Sequence, residues 1–203
     1  STLSSSSAAS DVYKRQERDI ADFRAMLERA HGWLQASRGA FEQVAVEADV
    51  NVQVSDNVRI RGRLDRLERD SSGAVHIVDL KTSAYPPTVD ATADNPQLAT
   101  YQLALAHGEF DGGKVVTARD GANALSVGGA VLVYPNANKT TLSTREQAKK
   151  TADELDELAA ALDGLPEETA GPTLLAVVGP QCDRCAVRAL CPVQPEGATI
   201  HHV

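Results

Sequence analysis

Apolar residues recur along this chain in two rhythms. From about Glu17 to Ser37 they fall at Ile20, Phe23, Met26, Leu27, Ala30 and Leu34, the spacing of one helical face. From Phe41 the rhythm becomes alternation, and FEQVAVEADVNVQV, valine-rich and ending at Val54, reads as a strand. Asp56-Asn57 turns into a second strand, Val58 to Arg69, and Asp70-Ser71-Ser72-Gly73 turns into a third, Val75 to Thr82. A loop from Tyr85 to Ala93 carries Pro86-Pro87. Asn95 then stands where a helix N-cap belongs, with Pro96 at the first helical position, so a helix is expected to about Ala106, stopping near Gly108. Glu109 to Ser126 is glycine-rich and reads as irregular. Gly129 to Tyr134, GAVLVY, reads as another strand. Thr144 to Leu162 reads as a long polar helix with apolar positions at Ala152, Leu155, Leu158 and Leu162. The order helix, strand, strand, strand, helix, strand predicts an α/β or α+β core with helices on a mixed sheet.

The third strand carries the candidate chemistry. Ile77 shares a face with Asp79 and Lys81, and Val78 and Leu80 take the other. A strand apolar on both faces is normally buried and central. An aspartate and a lysine inside it are costly unless something compensates. A divalent ion facing Asp79 and Asp65 of the second strand would compensate, and hard oxygen ligands suit Mg²⁺ or Mn²⁺. Lys81 beside that ion would orient or help deprotonate a water and neutralise charge developing on a phosphate. Gln97 and Tyr101, four apart on one helix face, would touch substrate phosphate or the ion's water shell. The bland alternative is a structural ion pair among Asp65, Asp79 and Lys81. A lone D-x-K is common. G-x-x-D on one strand, D-x-K on the next, then Q-x-x-x-Y opening a helix is much rarer, and this combination favours catalysis. Glu47 is assigned to solvent, His31 to a partly buried helix position, and His76, which alternates away from Asp79, to structure.

Composition adds boundaries. A chain of 203 residues, 42% apolar, suits one domain with a real core. No apolar run is long enough to span a bilayer, and no signal-peptide pattern opens the sequence, so a cytoplasmic location without membrane contact is expected. The net charge of −8 argues against a stand-alone nucleic-acid binder. Its distribution is uneven: Arg59, Arg61, Arg63, Arg66 and Arg69 crowd the central hairpin, and acid concentrates from Thr144 to Asp163. Residues 1–16 are serine-rich without an apolar period and resemble translated adapter or vector sequence. They are set aside as a disordered leader, residues 17–196 are taken as the domain and 197–203 as a tail. Cys182, Cys185 and Cys191 lie together in segment 180–196, an odd number that suits a metal or cluster better than a disulfide framework.

Gly62-Arg63-Leu64-Asp65, Asp79-Leu80-Lys81 and Gln97-Leu98-Ala99-Thr100-Tyr101 resemble the motifs of RecB-type nucleases of the PD-(D/E)xK superfamily. The resemblance covers about residues 20 to 196. It implies a restriction-endonuclease-like αβββαβ core and Mg²⁺-dependent DNA cleavage. It makes Asp65 and Asp79 metal ligands, with the backbone carbonyl of Leu80 as a third, Lys81 the catalytic lysine, and Gln97 and Tyr101 an auxiliary motif. The ending CDRCAVRALCPVQPEG is similar to actinobacterial helicase–nucleases of the AdnAB type, in which the nuclease closes a UvrD-like helicase polypeptide. That implies an exonuclease domain of a DNA-repair enzyme. Its partners would be DNA, the motor domains of the same polypeptide and a second helicase–nuclease subunit. Cys182-x2-Cys185-x5-Cys191-Pro192 resembles three ligands of the 4Fe-4S cluster in such nucleases. The fourth cysteine and the histidine-bearing segment that lie upstream in relatives are not present here, as expected of a fragment that begins late. Zinc held by the three cysteines with His201 or His202 is the rival ligand set, and free structural cysteines come third. The rival functions are a nuclease-inactive scaffold that channels DNA and a zinc-type interaction module.

Overall fold

The alternating stretches become strands of one seven-stranded mixed sheet. The computed structural model describes residues 4–169, 176–195 and 197. In chain order the elements are α1 (Ser4–Ser37), β1 (Phe41–Gln53), β2 (Arg59–Asp70), β3 (Val75–Leu80), α2 (Val89–Ala93), α3 (Pro96–Ala106), β4 (Gly108–Asp111), β5 (Lys114–Thr117), β6 (Val127–Ala137), β7 (Thr141–Ala148) and α4 (Ala152–Thr169). The sheet order is β4-β5-β1-β2-β3-β6-β7, so β3 is an interior strand beside the middle strand β2. β3 runs parallel to β6 and β1 parallel to β5, and the other pairs are antiparallel. The chain divides into two units, Ser1–Asp163 and Gly164–Val203, with the boundary inside α4. The first contains the whole sheet and its core, in which Leu64, Leu67, Ile77, Leu98, Leu103, Leu105 and Leu132 are buried.

α3 forms where its signals placed it. The Asn95 side chain accepts a hydrogen bond from the Leu98 N–H at 3.0 Å, and Pro96 occupies the first turn. The β2–β3 turn also follows its chemistry. Gly73 adopts φ +88°, and Asp70 accepts from the Ser72 and Ala74 amides. His76 is structural as read: its Nε2 lies 2.8 Å from Asp70 Oδ2 and its ring meets Phe41 edge-on.

Four stretches differ from the sequence reading, the first being Val89–Ala93, expected as loop and observed as the short helix α2 capped by Thr88. Glu109 to Ser126 is not wholly irregular, because it holds the β4–β5 hairpin. Gly112 and Gly113 both take positive φ, +56° and +81°, as a tight two-residue hairpin turn requires. Thr144 is not in a helix. Residues Thr141–Ala148 pair with β6 as β7, and α4 begins only at Ala152. The true start has a reciprocal cap: the Glu154 amide donates to Thr151 Oγ1 at 3.2 Å, and the Thr151 amide donates to Glu154 Oε2 at 2.8 Å. α1 begins at Ser4, inside the serine-rich leader, rather than at Glu17. Its expected apolar face is split. Met26, Ala30 and Leu34 are half-buried along with Trp33, while Ile20, Phe23 and Leu27 are exposed, and His31 is exposed rather than partly buried.

The cap gives a pH prediction. The Thr151 amide, then Lys150 and the Thr151 hydroxyl, hold the Glu154 carboxyl down from 4.5 to about 2. A lowered folded-state pKa means that the cap's contribution is whole above 4.5 and is lost as pH falls toward 2. The melting temperature of the parent is therefore expected to fall more steeply over that window than that of Glu154→Gln, followed by circular dichroism. Equal slopes would contradict the assignment.

The second unit, over its described residues, continues from the end of α4 to two short 3-10 turns, Pro180–Arg184 and Arg188–Leu190. Among the described residues no helix is long and apolar enough to cross a membrane.

Candidate active site

The site lies where β2 leaves β3. β2 pairs with β1 along its whole length but with β3 only from Arg66↔Val78 to Arg69↔Val75. Alternation fails at this fork. Ala45 and Ala48 on β1 are both buried although three apart, and so are Leu64 and Leu67 on β2. Glu47 takes φ +48° at the break, a strained conformation for a non-glycine residue, and its exposed side chain pairs with Arg63 at 3.7 Å. Asp65 sits in the same break. One further step of the β2–β3 register sets it opposite Asp79. The Leu80 amide donates to Asp65 Oδ2 at 2.8 Å, which ties the two acidic positions together across the fork. Leu80 is the last residue of β3, and its side chain is 39% exposed instead of buried, because the strand runs out there. The expected third ligand, its carbonyl, belongs to this terminal residue.

Asp79 is only 7% exposed. Lys81 Nζ stands 2.7 Å from Asp79 Oδ2, but off the line of a hydrogen bond. This buried oxygen therefore has a charge partner and no aligned donor. Burial pushes the Asp79 carboxyl above its ordinary pKa, Asp65 adds to the shift, and Lys81 opposes it. For Lys81, burial pulls downward, but contact with Asp79 and the charge of Asp65 outweigh it, so the ammonium is held above its ordinary pKa. Burial thus disfavours a charge on Asp79, and contact with Lys81 offsets part of that cost.

Tyr101 reaches the fork from α3. Its hydroxyl donates to the Arg63 carbonyl at 3.3 Å, and its ring lies over Gly62. A Cβ at position 62 would sit 2.9 Å from the Tyr101 oxygen and 3.2 Å from a ring carbon. The glycine of G-x-x-D thus gives the tyrosine of Q-x-x-x-Y its room. Gly62→Ala is expected to cost about 1 kcal/mol, because a flexible ring must shift, and to lower activity several-fold through Tyr101. Parental activity with parental melting would contradict this contact. Gln97 is exposed in the first turn of α3 and makes no hydrogen bond among the described residues.

Three residues escaped the sequence reading. Gln102 and Gln147, both buried, join through Gln102 Nε2 and Gln147 Oε1 at 2.9 Å. Gln147 Nε2 also donates to the Thr92, Ala93 and Asn95 carbonyls, at 3.1, 3.0 and 3.0 Å. The pair fixes the start of α3, and with it Gln97 and Tyr101, to β7. Tyr134 of β6 lies near Lys81. A tyrosine closing an apolar strand was its only sequence signal.

The donor set fits a hard divalent cation. Two carboxylates stand on neighbouring strands, and one oxygen of Asp79 is buried without an aligned donor. Among the described residues no group of three or more His, Cys, Asp or Glu side chains gathers to hold a metal. Two carboxylates with further positions open to water suit Mg²⁺ or Mn²⁺ rather than a closed zinc site.

The cysteines of the expected cluster lie in the second unit. Cys182, Cys185 and Cys191 are free thiols there and do not gather into a metal-holding group. They follow one another through successive tight turns. The Cys185 amide donates to the Cys182 carbonyl at 3.2 Å, and the Cys191 amide to the Arg188 carbonyl at 3.1 Å. His201 and His202 lie outside the described residues.

A family model described as the PD-(D/E)XK nuclease superfamily matches residues 3–192. No curated protein matches the sequence. Among solved structures, the crystal structure of SSO0001 aligns with 20% identity over 92% of this chain and 75% of its own, at a TM-score of 0.37, too low to carry an argument.

Proposed function

Because the chain belongs to the PD-(D/E)XK nuclease superfamily, we propose that the fork between β2 and β3 hydrolyses DNA phosphodiester bonds as a Mg²⁺- or Mn²⁺-dependent exonuclease site. The observation that carries this reading is the buried Asp79 carboxylate, opposite Asp65 and against the Lys81 ammonium. A divalent ion held by Asp65 and Asp79 would polarise the phosphate and acidify a bound water. The chain's own residues supply the rest. Lys81, held against Asp79, would stabilise charge on a phosphate oxygen, donate a hydrogen bond to it and orient the attacking water. Asp65 keeps the fork closed through the Leu80 amide. Tyr101 and the exposed Gln97 amide flank the opening where a phosphate backbone would lie.

The helicase–nuclease context rests on the motif set and the C-terminal cysteine segment. Under that reading, motor domains and a second subunit in the cytoplasm deliver DNA, and an acidic domain need not capture it alone. The intact set of Asp65, Asp79, Lys81, Gln97 and Tyr101 favours an active enzyme over a channelling scaffold.

Lys81→Ala tests the assignment. It is expected to lower kcat by about 10²–10³-fold while metal binding, measured by calorimetry, is retained. Cleavage at the parental rate would remove Lys81 from the mechanism.

A further inference from the structure

β6 runs beside β3 in parallel register, with Asp79 aligned to Leu132 and Leu80 to Val133. The Lys81 amide donates to the Val133 carbonyl at 2.9 Å, so the alignment continues past the end of β3. One step further stands Tyr134. Alternation puts Leu132 and Tyr134 on the sheet face that carries Asp79 and Lys81. On β7, Arg145 is aligned with Leu132 and Ser143 with Tyr134. Two rows of side chains thus cross the sheet: Asp65, Asp79, Leu132 and Arg145 in one, Lys81, Tyr134 and Ser143 in the next.

Tyr134 is 6% exposed, yet its hydroxyl makes no hydrogen bond among the described residues. The ring is buried, but the oxygen is not among the fully enclosed polar atoms that lack a partner, so the O–H opens toward the site. Its neighbours do not provide a partner. The Arg145 guanidinium is a donor and is already tied to the Pro87 carbonyl, Ser143 Oγ and the Thr144 carbonyl, at 2.7, 2.8 and 2.8 Å. Lys81 is also a donor and stands on Asp79. The phenol therefore lies among Lys81, Arg145 and the Asp79 carboxylate, each already engaged elsewhere and none bonded to it. The ligand that completes such a set is an anion with oxygen acceptors. Burial, together with the charge of Asp79, holds the phenol above its ordinary pKa against the pull of Lys81 and Arg145, so its proton stays on.

We infer that Tyr134 is a further catalytic residue of this site, its hydroxyl donating a hydrogen bond to a non-bridging oxygen of the scissile phosphate beside Lys81. The inference rests on the nuclease reading above. A neutral O–H adds direction that an ammonium point charge lacks, and it selects one of the two non-bridging oxygens.

The test is Tyr134→Phe, which keeps the ring and removes only the donor. Parent and variant are compared on DNA with a natural phosphate and with each phosphorothioate diastereomer at one labelled linkage, in Mg²⁺, alongside thermal melting. The expected result is a loss of about 10²-fold in kcat with little change in KM and an unchanged melting temperature. One diastereomer should slow the parent but slow Tyr134→Phe much less, since the variant has already lost that bond. Parental kcat in the variant, or a loss with both phosphorothioate effects intact, would overturn the inference and leave the nuclease reading standing. A parent that cleaves with no divalent metal supplied, or not at all, overturns both.

Discussion

Asp79→Asn protein should melt at a higher temperature than the parent and lose cleavage by about 10³-fold, about 4 kcal/mol of transition-state stabilisation. The two effects have one cause. Burial disfavours a charge on Asp79, and its raised pKa records that cost. A group with a raised folded-state pKa binds its proton more tightly when folded. Parental stability therefore falls as pH rises from 3.8 through the folded-state value. Asparagine keeps the shape, carries no charge and lacks this slope. Lys81 loses its partner, but its side chain is 35% exposed, so water can solvate the ammonium. Activity is lost because a metal-binding oxygen and the anchor of Lys81 go together. The outcome separates the functional reading from the structural one. If Asp79→Asn melts lower than the parent, the Asp79–Lys81 pair is a net structural contribution, and the argument that burial is tolerated for chemistry fails. Stability lost at a functional site and regained on its removal is the usual pattern for such residues.

The largest loss of stability is expected at Gln147→Leu, about 3 kcal/mol by chemical denaturation. Leucine fills similar space, so little cavity forms. It leaves the Ala93 carbonyl without its side-chain donor and takes one of two donors from the Thr92 and Asn95 carbonyls, which keep the Asn95 and Ala99 amides, and it removes the acceptor for Gln102 Nε2, which keeps only the Ala148 carbonyl at 3.1 Å. Each buried polar group deprived of its partner costs about 1–3 kcal/mol. Gln102 is held independently through the Lys150 amide at 2.9 Å, which limits the damage to the α2–α3 junction. Cleavage should fall too, because that junction sets where Gln97 and Tyr101 begin. A loss below about 1 kcal/mol would mean that water or a shifted backbone replaces the glutamine.

Local signals located most of what matters in this molecule. The β2–β3 hairpin was legible because Asp70 and Gly73 have turn chemistry and alternation flanks them. α3 was legible because an asparagine cap and a proline mark its first turn. Asp65, Asp79 and Lys81 stood out because charge in an apolar strand is anomalous without any partner being known. The failures have physical reasons as well. β7 was hidden because TLSTREQA has polar residues on both faces, and its helical neighbour lent it a false period. The Thr151–Glu154 cap would have corrected the boundary. β4 and β5 are four residues each, too short to show a period, and only Gly112-Gly113 announced them. The break at Glu47 and Asp65 depends on how two strands leave a third, which alternation within either strand cannot report. Gln102 and Gln147 meet across 45 positions. Tyr134 joins Lys81 only through the register of β6 on β3. Such partners become visible once the sheet order is known. The cysteines show the converse: a ligand-like spacing whose thiols do not converge among the described residues.

The most direct test of the central claim is cleavage itself. Purified protein would be incubated with end-labelled linear DNA in Mg²⁺, in Mn²⁺ and in EDTA, with Asp65→Ala protein alongside. The account predicts degradation that requires the metal, stops in EDTA and is absent from the variant. Degradation that persists in EDTA, or that Asp65→Ala carries out as fast as the parent, would contradict it.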